Sequence, residues 1–201
     1  MGVSGDRMPD PTVGGGTTAP SLDLPLSTPR LRLRDFLPTD FQAIHAYASD
    51  PEVTRFMFYG PRDDADTMAY LQRMLQSQVE HPRRMWELAV IRRIDDRLIG
   101  ACDVTLDNVH AGDLGYILAR EAWGQGYASE AARAMVNAGF AQLQLERIFA
   151  TCAVAHGASA RVLEKAGLRR RTVLHRYKEA KGRWWDMWLY DVTRADWQLQ
   201  P

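Results

Sequence analysis

Two cysteines in 201 residues are too few for a disulfide framework. Cys102 and Cys152 each fall in an apolar, strand-like run, so they read as buried thiols of a reducing compartment rather than a bridge or a metal pair. No apolar stretch approaches the ~18 residues of a membrane-spanning helix. The first residues lack an apolar segment of signal-peptide length, which makes a cytoplasmic chain the expectation. Neither sign of charge is in excess: 25 Lys and Arg face 25 Asp and Glu. That balance argues against a nonspecific nucleic-acid binder and gives no reason to expect an acidic membrane as partner. His45, His81, His110 and His175 have no ligand spacing among them, so no metal is expected.

What is present is 46% apolar residues, enough for a sizeable core, in a length that suits one domain. Gly, Pro, Ser and Thr crowd residues 1–28, with GGGTTAPS at 14–21, and predict a disordered tail ahead of one domain over 29–201. Order is expected to begin near Arg30, where LRLRDF alternates apolar and charged residues as a half-buried strand does. Pro38-Thr39-Asp40 opens a helix with Phe41, Ile44, Tyr47 and Ala48 inward, and Asp50-Pro51 opens a short helical turn. A longer helix follows over 63–80, with Met68, Leu71, Met74, Leu75 and Gln78 at helical spacing. Strands are expected over 86–93 and 97–107, an antiparallel pair around the Asp95-Asp96 turn, and over 113–119. After a helix to about Leu143 come a strand over 147–153, a helix over 159–166 stopped by Gly167, strands near 170–177 and 184–191, and a short helix capped by Thr193. The pattern is a mixed α/β (α+β) sheet with helices on both faces.

The stretch YILAREAWGQGYASEAA, Tyr116 to Ala132, organises the rest. It reads as strand, glycine turn, helix, and the first helical N–H groups have no internal partner. Such donors, at the positive end of the helix dipole, suit a phosphate. A P-loop would need Lys-Ser or Lys-Thr after its final glycine, but Tyr127-Ala128 follows Gly126. A dinucleotide fingerprint would need a glycine or alanine at 129, where serine stands, and Glu146 precedes the next strand instead of ending it.

A third reading is coenzyme A. LRLRDFLPTDFQAIHAYASDPEV, LIGACDV, DLGYILAREAWGQGYASEA and HGASARVLEKAGL occur in an order that resembles the GNAT superfamily of acetyl-CoA-dependent N-acetyltransferases, and its RimJ/RimL-type branch most closely. The resemblance spans about Arg30 to Trp197. It implies the GNAT fold: a mixed, mostly antiparallel sheet splayed between its fourth and fifth strands. It implies that backbone of Ile117, Leu118 and Ala119 pairs with the pantetheine arm, much as a peptide joins a sheet edge. It also implies that Trp123, Gly124, Gln125, Gly126, Tyr127 and Ala128 grip the pyrophosphate, and that His156 and Ser159 face the coenzyme. Three positions depart from the pattern. Glu121 replaces the usual Gln or Arg and is expected to point to solvent. His156 replaces an Asn. Leu163 replaces the Tyr that many members use as general acid.

The implied chemistry is direct attack of a neutral amine on the thioester in a ternary complex. It needs a proton acceptor, an oxyanion donor and a proton for the thiolate. Asp113 is the first choice of base, at a position usually Glu in this branch; Glu87 and Asp103 are alternatives on neighbouring strands. Tyr190 and Asp186 sit where similar proteins place a group facing the acceptor, and Trp184, Trp185 and Trp188 are candidates for lining a groove there. Arg169, Arg170 and Arg171 form a basic cluster near the coenzyme's implied 3′-phosphate. The expected partners are acetyl-CoA and an amine, on a protein N-terminus or a small molecule, for a monomer or homodimer. The alternative is an acyl-CoA-binding sensor module that transfers poorly.

Overall fold

The computed structural model describes residues 21–108 and 110–199. Its strands are β1 (Leu26–Ser27), β2 (Leu31–Arg34), β3 (Met85–Arg92), β4 (Arg97–Leu106), β5 (Ala111–Leu118), β6 (Arg147–Ala153), β7 (Arg169–Ala180) and β8 (Arg183–Thr193). The helices are α1 (Phe41–Ala48), α2 (Pro51–Thr54), α3 (Asp64–Ser77), α4 (Tyr127–Ala141), α5 (Gly157–Lys165) and α6 (Arg194–Gln198). No helix among the described residues is long and apolar enough to cross a membrane.

Local chemistry sets these boundaries. Leu31 and Leu33 are fully buried while Arg32 and Arg34 reach outward, the alternation of a strand with one face covered. The Asp50 side chain accepts from the Glu52 N–H to cap α2, Asp63 accepts from Asp66 to cap α3, and Thr193 accepts from Asp196 to cap α6. Gly167 follows α5 at φ 97°, the left-handed conformation that ends a helix.

The strands form one sheet in the order β1-β2-β3-β4-β5-β6-β8-β7. Every neighbouring pair is antiparallel except β5 and β6. Helix α4 covers one face, where Ala131, Met135 and Phe140 join Leu88, Val104 and Ile148 in the main core. Helices α1 and α3 cover the other, where Ile44, Leu71 and Met74 pack on Ala89, Ile91 and Ala101. A third, small cluster joins Trp185 and Met187 of the β7–β8 hairpin to Phe56 and Phe58 beyond α2.

Order begins earlier than the composition of 1–28 implies. Leu26 and Ser27 pair with Leu33 and Arg32, and Leu22, Leu24 and Leu26 pack against the main core. Leucines at every second position give an extended segment one apolar face, which the surrounding Pro and Ser obscure. The part of the predicted tail over 1–20 lies outside the described residues. In α3 the buried face runs through Thr67, Tyr70, Leu71, Met74 and Ser77, and Met68, expected inward, is 43% exposed. Cys102 and Cys152 are buried and unpaired.

Candidate active site

Strands β5 and β6 run parallel over three residue pairs, Ala111 with Arg147, Gly112 with Ile148 and Asp113 with Phe149, and then part. With the short β1 counted, these are the strands expected to splay. Past Asp113, β5 stays bonded to β4 on one side only. The space beside it opens into a cleft of about 570 Å³ between the glycine turn, the start of α5 and the segment after α2.

Of the residues expected to hold a coenzyme, all but Ala119 and Gln125 line this cleft. Ala119 is buried and spends its N–H on the Ile99 carbonyl. The Gln125 side chain donates to the Glu121 carbonyl, and its own carbonyl accepts from Arg30. Gly124 and Gly126 adopt φ of 74° and 81°, and a Cβ on Gly124 would meet nothing within 4 Å, so conformation rather than crowding demands glycine there. Gly126 begins α4 without a side-chain cap. The helical bonds start with Glu130 N–H donating to Gly126, which leaves the first-turn N–H groups without an intrahelical acceptor beside the cleft. The Trp123 indole N–H donates to the Leu118 carbonyl at 2.9 Å and ties the turn to the end of β5. Glu121 is exposed and lies 3.6 Å from Arg97, away from the cleft as expected.

A second helix begins at the same cleft. His156 caps it: its Nδ1 accepts the Ser159 N–H at 3.4 Å at the start of α5. The ring stacks on Phe56 at 4.2 Å. Burial, and then the nearby Arg55, lower its pKa, which favours the neutral ring that accepting requires. The Ser159 hydroxyl lies 2.7 Å from the Tyr116 hydroxyl, which also bonds the Ser159 carbonyl at 3.0 Å. Tyr116 escaped the sequence reading. Its signal was the alternation along β5, which turns it to the same side as Leu114 and Leu118. Leu163 is packed in the core. Arg55, Arg161 and Lys165 line the cleft and supply positive charge.

The cluster Arg169–Arg171 is engaged elsewhere: Arg171 pairs with Asp191 at 2.5 Å, Arg169 with Asp196 at 3.4 Å, and Arg170 lies over the Trp188 ring. Tyr190, expected among the catalytic groups, is fully buried in the main core and donates to Glu164 at 3.2 Å. Burial first, then Glu164, push its pKa up to about 12. Its position in β8 turns it into the core toward α5. Trp185 is buried in the hairpin cluster, and Asp186 accepts from the Arg176 N–H and lies 3.1 Å from His175.

The opposite face of the sheet carries the carboxylates. Glu87 on β3 pairs in register with Asp103 on β4, and Asp103 with Gly115 on β5. A Cβ on Gly115 would collide with the Asp103 carboxylate, so the absence of a side chain there makes Asp103's room. Asp113 stands one pleat away, opposite Thr105 and at the root of the parting. The Tyr70 hydroxyl of α3 donates to Glu87. Arg62 lies over the Tyr59 and Tyr70 rings at 4.4 and 4.1 Å. The Tyr47 hydroxyl is buried without a hydrogen-bond partner among the described residues. Burial raises the Glu87 pKa against the pull of Tyr70 and Arg62. Burial, then Glu87 and Asp113, raise that of Asp103. Asp113 is the exposed member, and its pKa is raised to about 6 by partial burial and then by Asp107. Like charges crowded on neighbouring strands are unfavourable and mark a site built for something besides stability.

With this geometry in view, the chain can be set beside known proteins. A model of the acetyltransferase (GNAT) domain matches residues 30–169. An uncharacterized N-acetyltransferase of Bacillus subtilis, YnaD, is 31% identical over 173 residues, covering 86% of this chain and 98% of its own. The crystal structure of a GNAT-family acetyltransferase from Bacillus anthracis superposes with a TM-score of 0.77 at 28% identity, over 86% of this chain and 99% of that one. RimJ of Mycobacterium smegmatis, solved with CoA-disulfide, shares the fold at a TM-score of 0.73 and 23% identity, over 85% of this chain and 84% of that one.

Proposed function

The chain belongs to the GNAT family of N-acetyltransferases, and from that premise we propose that it moves the acetyl group of acetyl-CoA onto a primary amine by direct attack in a ternary complex. The observation that carries this reading is the parting of β5 from β6 beside two helix starts. The parted edge of β5 offers backbone to a peptide-like pantetheine arm. The glycine turn and the start of α4 offer N–H groups to a pyrophosphate.

The amine approaches from the carboxylate face. Its nitrogen attacks the thioester carbon, the carbon–sulfur bond breaks, and the amine proton passes to Asp113 directly or through one water. With a pKa of about 6, Asp113 is an anion at neutral pH and still basic enough to take a proton. Glu87 and Asp103 line the same face, and burial raises both carboxyls, so they hold their protons to higher pH than a carboxyl in water does. In this reading the Ser159 hydroxyl, at the start of α5 and 2.7 Å from the Tyr116 hydroxyl, hydrogen-bonds the departing thiolate, and with Leu163 in place of a tyrosine the thiolate takes its proton from water. Protein N-termini and small-molecule amines are both acceptors in this reading.

Thermal unfolding with acetyl-CoA, with NADH as control, tests the cleft. A ligand at about 100 times its dissociation constant adds roughly 2.7 kcal/mol to native stability. A rise with acetyl-CoA alone supports the reading, and no shift at millimolar acetyl-CoA sinks it. Release of coenzyme A thiol with a panel of amines then separates an enzyme from a module that only binds. For a productive amine, log kcat/KM should climb steeply with pH up to about 6, where Asp113 loses its proton, and less steeply above it until the amine itself is neutral; Asp113→Asn should remove the break near 6.

A further inference from the structure

The glycine turn is held from behind. Arg30 does not line the cleft; Thr28, Pro29 and Glu130 border a separate groove that meets the cleft at Gly126 and Ser129. The Arg30 Nη1 donates to the Gln125 carbonyl at 2.9 Å. Its Nε donates to one Glu130 oxygen at 2.6 Å, and its backbone N–H to the other at 2.9 Å. The Thr28 hydroxyl donates to that second oxygen at 2.6 Å. The guanidinium also lies over the Tyr127 ring, 4.7 Å from its centre. Burial alone would raise the Glu130 carboxyl, but the bonds from Thr28 and Arg30 hold it below its ordinary range.

A trans peptide is planar, and its carbonyl and N–H point in opposite directions. The carbonyl of Gln125 and the N–H of Gly126 belong to one such plane. With the carbonyl fixed on Arg30, the N–H is aimed away from Arg30, and Gly126 lines the cleft. The plane joins Gln125 to Gly126, and on the Gly126 side, at φ 81°, no Cβ opposes its rotation. The bond from Arg30 restrains that rotation from outside the turn.

We propose that Arg30 is a positioning residue for the coenzyme: through the Gln125 carbonyl it locks the peptide whose Gly126 N–H faces the pyrophosphate, while Glu130 and Thr28 hold Arg30. This rests on the coenzyme reading of the cleft. The arrangement explains why a carboxylate is tolerated in the first turn of a helix that meets an anion, since Arg30 offsets its charge at contact distance. It also explains why the cation is arginine. The planar fork serves Glu130 through Nε and the Gln125 carbonyl through Nη1, two nitrogens at a fixed separation, where lysine has one.

The test is calorimetric titration of coenzyme A into the native chain, Arg30→Lys, Arg30→Ala, and Arg30→Ala combined with Glu130→Gln. Deuterium exchange of residues 124–128 is followed in the ligand-free proteins. Arg30→Ala should bind about tenfold more weakly, the scale of one charge-assisted hydrogen bond, and Arg30→Lys nearly as weakly. The double variant should recover part of the loss, because the uncompensated carboxylate is gone. Exchange should quicken in 124–128 while the interior of α4 stays protected. Affinities within about twofold of native, or quickened exchange spread along all of α4, would overturn the proposal. A native chain that fails to bind coenzyme A sinks the coenzyme reading instead, and the exchange comparison still decides whether Arg30 holds the turn.

Discussion

A carboxyl group half-buried beside two others keeps its proton to higher pH than it does in water, and Asp103 is such a group. Below about pH 4, the ordinary aspartate range, folded and unfolded chains are both protonated there and the site's contribution is fully present. As pH rises through the elevated folded value, that contribution is lost, because the folded state must ionise against burial, Glu87 and Asp113. Asparagine escapes the loss. Asp103→Asn should therefore raise the unfolding midpoint at about pH 8, with a gain that shrinks toward about pH 4; a gain independent of pH would contradict this account. His156 makes a second residue-scale case. It was readable as a replacement for Asn, but its ring nitrogen's role as an acceptor emerged only with the cap geometry. His156→Asn should keep coenzyme A affinity close to native in a titration, whereas His156→Ala should lose the cap, worth about 1 kcal/mol of helix stability, and bind more weakly.

The elements were legible wherever one periodicity ran long enough. The buried leucines of β2, the start of α3 at Asp63 and the glycine turn all stand where their patterns put them. The carboxylate face was not legible in the same way. Glu87, Asp103 and Asp113 were visible as acidic residues on neighbouring strands, but the register that sets Asp103 over Gly115 is a property of pairing, not of any one strand. Nor does the sequence show that the β7–β8 hairpin reaches back to the segment after α2. There Lys181 donates to the Thr54 carbonyl at 2.7 Å, and Trp185 meets the Phe56 and Phe58 rings edge-on at 6.4 and 6.2 Å. That segment forms one wall of the cleft. Trp185→Ala should cost about 3 kcal/mol in denaturant unfolding, as core Trp truncations do, and should weaken coenzyme A binding as the wall loosens.

At the scale of the whole chain, the start of the domain is the feature that composition concealed. Leu22, Leu24 and Leu26 each bury part of their side chains on the main core, and Thr28 bonds Glu130. A chain beginning at residue 29 should lose roughly 5 to 10 °C of unfolding midpoint for the apolar surface it leaves uncovered. It should also bind coenzyme A more weakly than the full chain, since Glu130 loses a donor. An unchanged midpoint would mean that the leucines contribute no net burial.

The parting of β5 from β6 has a mechanical side. The sheet consists of a five-strand leaf and a three-strand leaf, sewn by three residue pairs and by the chain that runs through α4 between them. Load applied across that seam falls on a short row of parallel hydrogen bonds, so the molecule should tear there first when stretched. A long ligand seated along the opening would touch both leaves, and occupancy could then be read as a higher rupture force at the seam, with the strength of each leaf unchanged.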